Sequence, residues 1–212
     1  MFKKIGISTA LFLISTSTAL ATDVMLPYFG AEVGYDTGKW KLRDATSVQT
    51  TSSSNGVFGG FFGGLSFTLA QRIFANIEVF GNESSTSIDS QQVNLAGGGT
   101  SQVKLRMKYS YGGAVLPGFK FTDAVNGYLR LGILKSRFEL HQAIPPAGSS
   151  SNWGDNNATG GQLGLGIQGN INDLWGVRAE YDYVTYNSFT IFGNNISAHD
   201  NQFKIGVLYK FE

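Results

Sequence analysis

The chain has 212 residues, with 16 Lys and Arg against 15 Asp and Glu and a formal charge of +1, and it contains no Cys. That balance excludes the basic surplus of a nucleic-acid binder and the acidic run of a disordered tail. The missing Cys excludes a disulfide framework and an N-terminal lipid-modified Cys.

The first 21 residues read as an export signal. Lys3 and Lys4 precede an apolar run from Ile5 to Ile14, and Ala19-Leu20-Ala21 is a small-x-small cleavage triplet. The run falls short of the roughly 20 residues that a spanning helix needs. Residues 22–212 are then one domain, and removing Lys3 and Lys4 takes the charge from +1 to −1.

From Phe29 the apolar side chains repeat every second residue. Phe29, Ala31, Val33 and Tyr35 alternate with Gly30, Glu32, Gly34 and Asp36. A second segment puts Val57, Phe61, Leu65, Phe67 and Leu69 against Gly60, Gly64, Ser66 and Thr68, with Phe58 and Phe62 as exceptions. Ile73, Ala75, Ile77 and Val79 oppose Asn76, Glu78 and Asn82. In the fourth, Val103, Leu105, Met107, Tyr109 and Tyr111 oppose Gln102, Lys104, Arg106, Lys108 and Ser110. Leu129, Leu131 and Ile133 then oppose Arg130 and Gly132, and Leu163, Leu165, Ile167 and Ile171 oppose Gln162, Gly164, Gly166, Gln168 and Asn170. Trp175, Val177, Ala179, Tyr181 and Tyr183 oppose Arg178, Glu180 and Asp182. Phe203, Ile205, Val207, Tyr209 and Phe211 finally oppose Lys204, Gly206 and Lys210. A period of two over eight segments predicts strands, each near the roughly 9–11 residues that cross a bilayer at a tilt.

Short turns near Ala70–Arg72, Pro117–Asn126 and Asn172–Leu174 alternate with long polar loops near Lys41–Asn55, Glu83–Ser101, His141–Ala158 and Asn187–His199. That asymmetry predicts an all-β fold, an eight-stranded antiparallel up-and-down transmembrane β-barrel. Three features turn the apolar face toward lipid. The export signal is one. The polar face is rich in Gly and carries both signs of charge. Aromatics (Tyr28, Tyr35, Trp40, Tyr109, Tyr111, Trp175, Tyr183, Tyr186, Tyr209 and Phe211) gather near strand ends, where interfacial girdles sit. On this reading Lys104, Arg106 and Lys108 face the lumen, because each would cost roughly 2–4 kcal/mol in mid-membrane hydrocarbon.

Three runs carry a resemblance: Tyr28-Phe29-Gly30-Ala31-Glu32-Val33-Gly34-Tyr35, Leu116-Pro117-Gly118-Phe119-Lys120-Phe121-Thr122-Asp123, and Tyr128-Leu129-Arg130-Leu131-Gly132. With these the mature chain resembles the small outer-membrane β-barrel family, which includes the transmembrane domain of outer-membrane protein A, the opacity proteins and the attachment–invasion barrels. The resemblance implies the cell outer membrane of a Gram-negative bacterium, with periplasmic termini. It also implies that Lys204, Gly206, Tyr209 and Phe211 form the signal read by the barrel assembly machinery, although Glu212 follows the usual terminal aromatic.

Glu32, Glu78, Lys104, Arg106, Arg130, Arg178, Glu180, Asp182 and Lys204 are expected to form an ion-pair network filling a lumen only wide enough for side chains. No catalytic, cofactor or metal residue is expected. His141 and His199 are rim histidines without a His-x-Ser arrangement, and Asn152–Asn157 lacks the spaced carboxylates of a Ca²⁺ loop. Trp40, Trp153, Phe189 and Phe192 are aromatic points on polar loops and candidate contacts for a host protein or glycan. The expected partners are outer-membrane lipid, lipopolysaccharide and the assembly machinery, for a monomer displaying four loops in surface interaction or envelope integrity. A lipid A-modifying enzyme and a minor pore are the alternatives.

Overall fold

The computed structural model describes residues 25–43, 49–94, 100–143, 151–191 and 194–211. The export signal therefore lies outside the described residues. Ten strands follow in chain order: β1 (Leu26–Arg43), β2 (Gln49–Ala70), β3 (Ile73–Ser84), β4 (Ser87–Asn94), β5 (Thr100–Lys120), β6 (Val125–Ala143), β7 (Ser151–Asn170), β8 (Trp175–Tyr186), β9 (Phe189–Ile191) and β10 (Asn194–Lys210). Every pairing is antiparallel, and β1 pairs with both β2 and β10, so the sheet closes on itself. β4 continues the line of β3 along β5, and β9 continues that of β8 along β10, which makes eight staves. Closure leaves no bare strand edge in the bilayer, where an unpaired amide finds no water.

The pleat separates two environments. Val33, Ile133 and Ile205 on the outer face are 66%, 72% and 66% exposed, whereas Glu32, Arg130 and Lys204 are 2%, 0% and 3% exposed. A narrow barrel can hold inward Phe only where the facing wall is bare. A Cβ on Gly30 would lie 2.2 Å from Phe62 Cζ, and one on Gly34 would lie 2.3 Å from Phe58 Cζ. These glycines explain the two aromatic exceptions on the polar face of β2. At the short-turn end, Asn172 Oδ1 accepts from the amides of Leu174 and Trp175, at 3.0 and 2.7 Å, fixing the β7–β8 turn.

The ladders depart from the sequence reading in two places. First, most of the predicted long loops are strand. β1 stays paired with β2 up to Arg43–Gln49, and β6 with β7 up to Ala143–Ser151. β5 likewise runs through Pro117 to Lys120, so its turn to β6 is shorter than expected. In the β2 extension Gln49–Asn55 every residue is polar, so the period of two carries no hydropathy signal there. Second, β5 carries a β-bulge. Met107 is opposite Phe138, Tyr109 is opposite Arg137, and Lys108 is the extra residue between them.

The bulge corrects three placements. Met107 points inward, at 3% exposed, while Arg106 and Lys108 join Tyr109 on the outer face. The physical reason is height. These cations sit above the apolar band, so facing out exposes them to water and headgroups rather than hydrocarbon. Facing in would bury them among Trp40, Phe138 and Tyr186.

Candidate functional site

The lumen is filled in three tiers. Nearest the short turns, Phe74, Ala114, Leu116 and Tyr128 form an apolar cluster, with Tyr28, Phe62 and Leu208 beside it. The middle tier holds seven ionisable side chains from five staves. Arg130 Nη1 donates to Glu78 Oε1 at 2.7 Å and lies 3.4 Å from Glu180. Arg178 bridges Glu78 and Glu32, each at 2.7 Å, with its guanidinium 3.4 Å above the centre of the Phe62 ring. Lys204 contacts Glu180, pairs with Asp182 at 2.6 Å and lies 3.9 Å from Glu32. Gln162 joins the two halves, accepting from Arg130 Nε at 3.2 Å and donating to Asp182 Oδ2 at 2.8 Å. Tyr28 donates to Glu78 from below at 3.1 Å.

Glu32, Glu78, Arg130, Arg178, Glu180, Asp182 and Lys204 thus meet at one height. Arg106 does not join them, because the bulge turns it outward. The side chain of Lys104 lies outside the described residues. Three cations face four carboxylates, so removing a single cation uncovers buried negative charge.

Above the apolar band the mouth is capped by aromatics. Trp40 meets Phe138 edge to face with centroids 5.0 Å apart, and Phe138 meets Tyr186 at 5.5 Å. Trp40 Nε1 donates to Ser54 Oγ at 2.7 Å. Trp40 is only 3% exposed, which corrects its assignment as a loop contact. An even-numbered residue of β1 points into the barrel whatever its chemistry, and a wide mouth needs a large ring to fill it. Tyr28 and Tyr186 are buried for the same reason and leave the expected girdle. The side chains of Trp153 and Phe189, and the whole of Phe192, lie outside the described residues.

Asp36 and Asp200 also enter this upper tier, and neither was in the expected network. Thr86 Oγ1 donates to Asp36 Oδ1 at 2.6 Å. Burial, and next the Asp36 carboxylate, push the Asp200 carboxyl up to about 7. Strict alternation from Glu32 and Lys204 places both on the lumen face, and that is the signal by which they could have been found.

His199 faces outward, with its ring 6.1 Å from that of Tyr183. The neighbouring Ser197 hydroxyl is hydrogen-bonded to Ser188 at 2.9 Å, not to an imidazole. In the last strand Lys204 is buried in the ion cluster. Tyr209 packs edge to face on Trp175 and Phe211, at 5.1 and 5.2 Å.

The profile of the outer membrane protein beta-barrel domain matches residues 7–211. The chain is similar to the 31 kDa outer-membrane immunogenic protein of Brucella melitensis, with 26% identity over 206 residues, covering 87% of this chain and 82% of that one. Among solved structures it is similar to the outer membrane protease OmpT from Escherichia coli, at 9% identity and a TM-score of 0.52, covering 93% and 100% of the two chains. It is also similar to the attachment invasion locus protein of Yersinia pestis, at 12% identity and a TM-score of 0.45, covering 86% and 98%.

Proposed function

The chain belongs to the outer membrane protein beta-barrel domain family and resides in the outer membrane, and from that premise we propose a non-enzymatic, non-conducting barrel that presents its outer hairpins for surface interaction. One observation carries this reading: the lumen is packed at three heights, while the staves run on past the apolar band. β2 has 22 residues, where about 9–11 suffice to cross a bilayer. Side chains that fill a barrel leave nothing to conduct, and paired strands hold a recognition tip at a fixed place. The relative's description as immunogenic supports hairpins that host proteins can reach. The outward His199 and the Ser188–Ser197 hydrogen bond support a role without catalysis.

The hairpin tips then contact a host protein or glycan, with Trp153, Phe189 and Phe192 as the aromatic residues nearest to them in the chain. Assembly depends on the last strand, whose Tyr209 and Phe211 form an aromatic pair beside the buried Lys204 and Gly206. The test deletes residues 44–48, 95–99, 144–150 and 192–193 one segment at a time, scoring adhesion and serum survival. A heated-versus-unheated gel shift verifies that each variant folds. At least one deletion should lose a phenotype with its barrel intact. If all four folded deletions keep both phenotypes, envelope integrity replaces surface interaction as the role.

A further inference from the structure

Because of the bulge, the outer face of the β5–β6 hairpin carries Arg106, Lys108, Lys135 and Arg137 together. Below Arg106 and Lys108, and level with Arg137 and Lys135 across the strand pair, the rings of Tyr109 and Tyr111 stack with centroids 6.4 Å apart. Arg137 donates to the Tyr109 hydroxyl at 3.4 Å. Below the rings the surface is apolar, with Val115, Leu131 and Ile133 all exposed. Among the described side chains two carboxylates face the patch: Glu139, 3.4 Å from Lys108, and Glu83, opposite Tyr109 on β3. Four cations against two anions make the described part of this surface positive. At the corresponding height β7, β8 and β10 present Thr159, Thr185 and Asn201, and β1 presents the exposed pair Lys39 and Lys41, so the four cations on β5 and β6 form the denser of two basic patches.

We infer that this face binds the phosphate groups of an anionic glycolipid in the outer leaflet. The height selects that occupant. The cations begin where the exposed apolar side chains end, level with the headgroups, and they point sideways into the leaflet rather than up into solvent. A soluble polyanion would have to displace lipid to reach them. A phosphate monoester matches the donors, since Arg offers it a planar fork and Lys a point charge. A β-bulge re-aims side chains, and here it moves Arg106 and Lys108 from the lumen to the lipid boundary. The inference rests on residence in the outer membrane and not on tip recognition, so either can fail alone.

The test uses the folded full-length barrel in uncharged detergent, titrated with bis-phosphorylated lipid A and with the same lipid after phosphatase treatment. Tyrosine and tryptophan fluorescence or native mass spectrometry reads binding. The phosphorylated lipid should bind at least tenfold more tightly. Neutralising a cation near an anionic surface weakens attraction about fivefold, so R106Q/K108Q/K135Q should lose about a hundredfold. The K39Q/K41Q pair, from the opposite wall, should change affinity less than twofold. Lys108→Gln alone, at an exposed position, should lose about fivefold and serves if the triple variant misfolds. Equal affinity for both lipids, or unchanged affinity in the folded variants, overturns the proposal. An equal loss in K39Q/K41Q overturns the location in favour of diffuse charge. Binding of heparin fragments that the triple variant abolishes, with no preference for phosphorylated lipid, overturns it in favour of a soluble polyanion.

Discussion

Replacing Arg178 by Met removes the cation that bridges Glu32 and Glu78, each at 2.7 Å, while keeping an unbranched chain over the Phe62 ring. Two cations then face four carboxylates. Glu78 keeps Arg130, but Glu32 is left with Lys204 at 3.9 Å. Breaking a buried pair from one side costs about 3–5 kcal/mol, because the orphaned charge remains buried. The assay is urea unfolding of the barrel in lipid vesicles, followed by tryptophan fluorescence and by the gel shift. With a denaturant slope of about 2 kcal/mol per molar, the midpoint should fall by roughly 2 M. Adding Glu32→Gln restores the original imbalance of one negative charge, and the double variant should recover most of the loss. A single variant within about 1 kcal/mol of the parent, against the 3–5 expected of a broken buried pair, would refute the reasoning. So would a double variant less stable than the single.

Three further outcomes are expected. Asp200 titrates near 7 in the folded barrel against an ordinary 3.8, so the folded state binds the extra proton and stability falls as pH rises from about 4 through 7. Asp200→Asn should therefore match the parent at pH 4 and exceed it at pH 8 by up to about 4 kcal/mol, and no gain at pH 8 in vesicle unfolding contradicts it. Gly30→Val drives side-chain atoms into Phe62 Cζ and the Val207 carbonyl, 2.2 and 2.5 Å from the Cβ position. It should cost about 1–3 kcal/mol, partly recovered with Phe62→Leu, and an unshifted urea midpoint argues against the close packing. The parent barrel should give no large, stable conductance in planar bilayers, and a reproducible nanosiemens channel would show that the tiers do not seal it.

Alternation made the fold legible. Between Phe29 and Tyr35, and again between Phe203 and Val207, each residue's chemistry matches its face, so strand, register and sidedness follow together. The ion cluster was legible on the same footing, since Glu78, Arg130, Arg178 and Lys204 sit at lumen positions of strongly patterned strands. Elsewhere the pattern was silent or false. Along Gln49–Asn55 every residue is polar, so no alternation shows and a paired strand looks like a loop. At Lys108 one extra residue reverses the faces of Arg106 and Met107, and nothing in the Arg-Met-Lys-Tyr run marks the insertion. Trp40 was misplaced because a ring capping the mouth and a ring anchored at an interface have the same hydropathy. Only its even position told them apart.

The seam between β1 and β10 joins the two ends of the domain through sixteen residue pairs, from Tyr28–Lys210 to Arg43–Asn195. The ion cluster is fed by β1, β3, β6, β8 and β10, so it too lacks members until that seam forms. A sheet short of closure would offer two raw edges to hydrocarbon and leave Glu32 apart from Arg178, while Lys204 would keep Glu180 and Asp182 on the adjacent β8. The contacts most distant in sequence therefore act as a latch that joins ladder and charge in one seam. Opening that seam removes a backbone ladder and the Glu32–Arg178 bridge together.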